Sequence, residues 1–340
     1  MTSSRKLLSI LIPTYNRAEE LGQLLRTLNA ELRGLEHCTE VVICDNASTD
    51  NTAEVIHAFK ASFSNVRHIL QESNVGMDGN FLSCVTSTEA EYCWMIGDDD
   101  MPRTGSVAKL VQLLTDTRPE VVYLSSHWRE DISSDMLGLL GDLGCREVRR
   151  DHFLKMTNVW VTFISAMILR RDTFIRQATL ADLQKYNSTN LVHLGWVIPT
   201  IKNASKVSIV SVPVVLAKAS NTGGYAVLKV FGQHFPAIIR SEFSTRQSLA
   251  HSIIWRLTIG YLPQLAWQVR TNTAGNFRDG KKSFAQLDAQ KTAGQIYFFT
   301  KAIIKWPALV SRALKFSLAL TAKSLRVLDR VAELPARITR

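Results

Sequence analysis

The sequence contains no uncharged apolar stretch approaching the roughly 20 residues that a membrane-spanning helix needs. It has no internal repeat and no low-complexity tract. It also lacks a Cys-x-x-Cys pair, and its five cysteines, Cys38, Cys44, Cys84, Cys93 and Cys145, show no paired spacing. A disulfide-stapled scaffold is therefore not expected in a chain of 340 residues, and reduced thiols in the cytosol are. The N-terminal run "LLSILIP" is interrupted by Pro13 after about six apolar residues, too few for the core of a signal peptide. Two nucleotide-binding signatures are missing as well. No GxGxxG follows the first apolar run, which argues against a dinucleotide-dependent dehydrogenase, and no GxxxxGK[ST] occurs, which argues against P-loop chemistry.

Hydrophobic residues make up 46% and charged residues 21%, the balance of a globular protein able to bury one large core or two modest ones. The net charge of +10 is unevenly spread: residues 295–340 hold nine Lys/Arg against Asp329 and Glu333, which is +7 of the total. This segment mixes Phe, Trp, Leu and Ile with regularly spaced cations, the composition of a helix lying on an anionic membrane surface. A helix docked on the rest of the chain is the rival reading. Nucleic acid ranks last, because long aliphatic faces are not needed to bind phosphates.

The first 125 residues read as strands alternating with helices. "LLSILIP" (7–13), "EVVICD" (40–45), "NVRHIL" (65–70), "EYCWMIG" (91–97) and "EVVYLSS" (120–126) are strand candidates. Between them, Leu21, Leu24, Leu25, Leu28 and Leu32 recur at helical spacing, "STDNTAEVIHAF" starts with capping residues, and further helices are expected at 79–87 and 104–114. Such alternation predicts an α/β fold with a mostly parallel sheet, whose ligands sit where the strands end. At those ends stand Thr14 and Asn16, then Asp45, Asn46 and Ser48, then Asn74 and Gly76, and finally the adjacent carboxylates Asp98, Asp99 and Asp100. "DNASTD" could be an Asx turn with a helix cap, "NVGMDGN" a turn and the Asp triplet a solvated loop; their coincidence at one edge favours a site. Like charges this close repel unless a cation or donors compensate, and oxygen-only ligands suit Mg2+ or Mn2+ shared with phosphate oxygens.

"SILIPTYNRAEEL", "EVVICDNASTDNT", "NVGMDGNF" and "YCWMIGDDDMPRTGSV", in that order, resemble the inverting glycosyltransferases of family 2, which have the GT-A fold. "GMDGNF" with "GDDD" is similar to the branch that adds sugars to bacterial lipopolysaccharide O-antigen, abequosyltransferases included. The resemblance implies a Rossmann-like GT-A sheet and transfer, with inversion, from a nucleotide-diphosphate sugar to a saccharide acceptor on a lipid carrier. It implies a divalent cation (Mn2+ or Mg2+) and a peripheral place on the inner, cytoplasmic face of the plasma membrane. Pro13, Thr14, Asn16 and Arg17 would line the nucleotide pocket, with Asp45 at the pyrimidine base and Ser48 nearby. An Asp accepting from N3–H suits uracil or thymine. Asn74, Gly76 and Asn80 would face ribose and phosphates, where a helix start favours anions. Asp98, Asp99 and Asp100 match the metal-binding DXD-type motif, with Asp99 toward ribose or metal and Asp100 on the metal; Gly97 takes the place of the first acid in the family's frequent Asp-x-Asp-Asp.

An inverting transfer needs a general base. The family's Glu-Asp pair is absent about 20 residues after "FISAMILRRD", where "LVHLGW" puts His193; Asp182 is the second candidate, and a histidine packed near Trp196 is the alternative reading. Asn221, Gly223 and Gly224 could hinge a flap or form an ordinary loop. These readings divide the chain into a donor half (1–125), an acceptor half (126–232) and a helical region (233–340). Besides the transferase, a non-catalytic GT-A-like binding protein at a membrane stays open, whereas a nucleotidyltransferase would need a glycine-rich basic loop where "PTYNRAEE" stands.

Overall fold

Every residue of Leu8–Thr14 (β1) is buried, with no polar alternation, because this strand lies inside a sheet covered on both faces. The computed structural model describes residues 5–132, 141–175, 178–219, 224–271 and 294–332. Within them β1 pairs in parallel with β2 (Thr39–Asp45) on one side and β4 (Tyr92–Met95) on the other, and β2 pairs in parallel with β3 (Val66–Leu70). The sheet continues through β5 (Met101–Pro102), β6 (Val121–Arg129), β8 (Met167–Arg170) and β9 (Val207–Lys218), in the order β3-β2-β1-β4-β8-β6-β9-β5, while β7 (Cys145–Val148) pairs with β9. Both β4 and β6 run antiparallel to β8, and β9 runs parallel to β6. Hence β3, β2, β1, β4, β6 and β9 share one direction, the mostly parallel sheet expected from the alternation. Periodicity specifies that a strand is buried but not which strand lies beside it, so the insertion of β8 between β4 and β6 had no signal in the alternation.

The helices α1 (Ala18–Glu31), α2 (Thr52–Ser62), α3 (Gly76–Ser87) and α4 (Ser106–Thr117) follow β1, β2, β3 and β5. Leu21, Leu24, Leu25 and Leu28 form the buried stripe of α1, with Leu32 buried just beyond it. Glu31 at the end of α1 accepts from the amides of Gly105 (2.7 Å) and Val107 (3.2 Å), satisfying donors at the start of α4 that have no intrahelical partner. Trp94 is fully buried, and its indole N–H donates to the Ser165 carbonyl at 2.9 Å, which ties β4 to the segment leading into β8.

The chain divides into two units. The first joins Met1–Glu147 to Val161–Ala219 and contains the sheet; the second joins Val148–Trp160 to Ser220–Arg340. The described part of the second unit is helical, with helices at Arg150–Thr157, Phe235–Glu242, Gln247–Gly260, Leu262–Arg270, Gly294–Lys305 and Ala308–Ala332. Ile259, Ala266, Ile303, Leu318 and Ala322 form an apolar core there. Residues 272–283 of the polar break, Asn221 and Gly223 of the glycine loop, and residues 333–340 of the basic tail lie outside the described residues.

In the first unit the helix Leu194–Asn203 packs so closely on the turn before it that a Cβ at Gly195 would stand 2.8 Å from the Leu183 carbonyl oxygen and 3.1 Å from that of Asp182. Both are backbone atoms and cannot rotate away. Gly195→Ala is expected to destabilise the fold by about 1–3 kcal/mol in urea unfolding; an unchanged midpoint would show that this approach is not so close.

Candidate active site

The parallel register sets Thr14, the last residue of β1, opposite Asp45, the last of β2. Just beyond, the Asn46 amide donates to the Thr14 carbonyl (3.0 Å), the Asn16 amide to Ser48 Oγ (2.9 Å), and the Thr49 amide to Asn16 Oδ1 (2.7 Å). The two exits are thus stitched together. Asn16 and Ala47 adopt left-handed backbone, with φ of 52° and 62°. Asn tolerates this, whereas Ala does so at a cost of about 1 kcal/mol or more, which the surrounding bonds offset. Pro13, buried within β1 opposite Cys44, positions this exit.

Asp45 is 1% exposed; its Oδ1 accepts from the Ser48 amide at 2.9 Å and its Oδ2 lies 3.6 Å from His68 Nε2. Burial holds the His68 imidazole below its usual range, with Asp45 opposing the shift. The third loop is joined on by Asn46, whose Nδ2 donates to Asn74 Oδ1 (2.9 Å) and whose Oδ1 accepts from the Val75 amide (2.9 Å); the Gly76 amide donates to Asn74 Oδ1 (2.8 Å). Asn80 in α3 donates to the carbonyls of Cys44 (2.9 Å) and Thr14 (3.4 Å), spanning the ends of β2 and β1.

The triplet after β4 completes the edge. Asp98, Asp99 and Asp100 are 6%, 6% and 4% exposed. Thr14 Oγ1 donates to Asp98 Oδ2 at 2.8 Å, and Arg17 Nη1 donates to Asp98 Oδ1 (3.2 Å) and Asp99 Oδ2 (2.5 Å). Asp100 is held differently: Ser165 Oγ donates to its Oδ2 (2.5 Å) and the Lys218 amide to its Oδ1 (3.2 Å). Burial, and next Asp99, push the Asp100 carboxyl up to about 8; the Ser165 hydroxyl and Lys218 amide oppose this. Burial likewise pushes Asp98 up to about 7, opposed chiefly by Arg17 and reinforced by Asp99. A Cβ at Gly97 would lie 3.1 Å from Asp99 Oδ1 and 3.2 Å from Asp100 Oδ2, so a side chain at the family's first acidic position would crowd the carboxylates.

The residues named for the nucleotide and the metal, Thr14, Asn16, Arg17, Asp45, Ser48, Asn74, Gly76, Asn80, Asp98, Asp99 and Asp100, therefore lie on one edge, linked by hydrogen bonds, short register or chain neighbours. The residues named for the base share no hydrogen bond with the carboxylates. His193 is buried in a small apolar cavity with Leu11, Val85, Met95 and Met167, its ring edge-on to Phe81 (5.9 Å) and Trp196 (6.4 Å). Burial pulls its pKa down to about 4, with the Thr162 backbone opposing. Asp182 is exposed and closes a capping box with Thr179, which keeps its carboxyl below the usual range. Among the described residues no group of three or more His, Cys, Asp or Glu is arranged to hold a metal ion. A cavity of about 550 Å3 between α1 and α2, lined by Gly22, Leu25, Arg26, Val55 and Phe59, contains none of the site residues.

Three contributors escaped sequence reasoning. Ser165 orients Asp100 and accepts from the Gly97 amide at 2.9 Å, and Lys218 supplies a backbone donor 118 residues away. Asp78, in the first turn of α3, accepts from the amides of Asn190 (3.0 Å) and Val192 (3.3 Å), and so holds the loop that leads to His193. An acid at a helix start reads as a dipole partner, and nothing local names the distant loop it binds.

Residues 9–173 match the family model described as glycosyl transferase family 2. They form a family 2 glycosyltransferase domain. Abequosyltransferase RfbV of Salmonella typhimurium is 35% identical over 116 residues, 34% of this chain and 34% of that protein. The undecaprenyl-phosphate 4-deoxy-4-formamido-L-arabinose transferase of Pseudomonas savastanoi pv. phaseolicola is 36% identical over 109 residues, 32% of each chain. The alignment thus spans about a third of the length of each of these curated relatives. In structure, S. aureus TarS 1-349 in complex with UDP-GlcNAc superposes with a TM-score of 0.59 over 94% of this chain and 90% of that one, at 14% identity. The fold of the domain is GT-A, as the motifs implied.

Because the folded state raises the Asp100 pKa from the ordinary 3.8 to about 8, it binds more protons than the unfolded chain between those values. Stability is therefore lost as pH rises from about 4 to about 8. The Asp100→Asn variant, which cannot ionise, is expected to gain thermal stability over the native chain across that window. Melting curves of the two proteins that coincide from pH 4 to pH 8 would show that Asp100 carries no such strain.

Proposed function

We propose that the chain transfers a sugar from a nucleoside-diphosphate sugar to a saccharide acceptor carried on a lipid, with inversion and with a divalent cation, in the synthesis of lipopolysaccharide O-antigen or a related surface polysaccharide. The observation that carries the reading is the buried triplet Asp98–Asp100 beside the stitched ends of β1 and β2, where one guanidinium reaches Asp98 and Asp99 and none reaches Asp100 through the bonds described above. Two oxygen-donor side chains, Asp99 and Asp100, would hold a hard divalent cation. Such an ion would supply Lewis-acid neutralisation of the negative charge on the departing nucleoside diphosphate.

The other residues bind and orient. Asp45, its Oδ1 occupied by the Ser48 amide, serves the base; Asn74, Gly76 and Asn80 shape the loop toward ribose and phosphates; and Pro13, Thr14 and Asn16 set the floor. Arg17 lies against Asp98 and Asp99 and provides a fixed positive charge where the diphosphate would enter. For the acceptor proton, His193 is the first candidate and Asp182 the second. A base pKa near 4 makes His193 neutral at physiological pH, able to accept a proton only weakly while its cavity stays closed. The place of action is the inner face of the plasma membrane, reached through the basic segment 295–340. Among the described residues no helix is long and apolar enough to cross a membrane.

A second reading, a non-catalytic GT-A-like nucleotide-sugar-binding protein at a membrane, draws on the separation of His193 and Asp182 from the carboxylates. Thermal-shift screening of UDP-, dTDP-, GDP- and CDP-sugars with Mn2+ identifies the donor, since ligand binding to the native state raises stability by mass action. With that donor, Asp99→Ala and Asp100→Ala are expected to lower metal-dependent turnover about 100-fold or more. His193→Ala should abolish turnover and spare donor binding. Turnover near the native level in His193→Ala removes that base, and absence of transfer or hydrolysis with every donor in the native chain favours the binding protein.

A further inference from the structure

The last two described helices, Gly294–Lys305 and Ala308–Ala332, belong to the second unit and pack on its own core through Ile303, Leu318 and Ala322. Arg270 fixes the corner between them, donating to the carbonyls of Ile303 and Trp306 (2.7 Å each) and to Ser311 Oγ (2.8 Å). On the second of these helices, Ser311, Leu314, Leu318, Ala322 and Leu325 recur at helical spacing and form the face turned to the core. An amphipathic helix would place polar residues opposite. Instead, Leu309, Phe316 and Leu320, about 180° away at 100° per residue, are 82%, 64% and 50% exposed. The helix therefore has two apolar faces, only one of which the fold uses.

The second face continues at the corner, where Trp306 (41% exposed) and Phe298 (56% exposed) meet edge-to-face at 6.1 Å. From Leu309 to Leu320 it extends about 16 Å along the axis. Its surroundings carry one sign of charge: residues 294–328 contain Lys301, Lys305, Arg312, Lys315, Lys323 and Arg326 and no Asp or Glu. Arg312 and Lys323, both exposed, flank Leu309, Phe316 and Leu320 on the same side. Two copies of the chain meeting on this face would bring these cations together. An anionic lipid surface supplies the apolar depth and the negative charge that the face lacks.

We propose that Leu309, Phe316 and Leu320, with Trp306 and Phe298 at the corner, insert into the headgroup boundary of an anionic bilayer, with the helix axis lying along the surface and Arg312 and Lys323 on phosphates. This deepens the membrane part of the proposed function and does not depend on the transfer chemistry. The test is co-sedimentation of the full chain with vesicles of phosphatidylcholine alone or with added phosphatidylglycerol. The native chain is expected to partition onto the anionic vesicles and to be released by salt. The triple variant Leu309→Ser, Phe316→Ser, Leu320→Ser should lose about tenfold or more of that partition with an unchanged melting temperature, since these side chains lie outside the core. Arg312→Gln with Lys323→Gln should weaken binding to anionic vesicles and leave the melting temperature unchanged.

Native-level sedimentation of the triple variant would overturn the proposal. So would a native dimer in light scattering that the triple variant converts to monomer while vesicle binding persists. Vesicle binding lost in the triple variant, in a native chain that gives no thermal shift with any nucleotide sugar, supports the docking face and counts against the transferase reading.

Discussion

The first unit is organised around a charge imbalance. Three carboxylates from consecutive residues are buried at the end of β4, and one guanidinium, from the residue preceding α1, touches two of them. Hydrogen bonds to the third come from Ser165, just before β8, and from the backbone of Lys218 at the end of β9. To assemble this cluster the sheet must bring β1, β4, β8 and β9 to the same edge, and the strand order does so. A buried cluster with more negative than positive charge is costly unless it meets a cation in use.

The parts that were legible in the sequence are those encoded locally. β1 and β2 announced themselves as apolar runs, α1 as a leucine stripe, and the candidate site residues as polar clusters at strand ends. Parallel strands then aligned these clusters, so knowing the direction of the strands was enough to predict their meeting. The Asx turn at Asp45–Ser48 is present and occupies only one carboxylate oxygen, the other turning toward His68.

What was not legible is long-range. Ser165 sits in a short 3-10 turn whose sequence suggests nothing about an aspartate 65 residues earlier, and β8 enters the sheet between strands that the alternation alone cannot separate. His193 illustrates the limit from the other side. Its distance from the strand "MILRR" matched a family position, yet whether a helix-start histidine faces a cleft or a core is decided by the packing of Phe81, Trp196 and Met167 around it.

The loop at Ser188–Val192 is made of residues with little reason to hold a single shape, two of which, Ser188 and Asn190, carry positive φ. Its amides converge on Asp78, which belongs to a helix 112 residues earlier in the chain. The contact closes a long span of chain, so the loop's shape depends on α3 and not on its own residues alone. The loop and the glycine-led start of α3 are thus coupled through one carboxylate, and a change that removes it would leave the loop's amides without their acceptor.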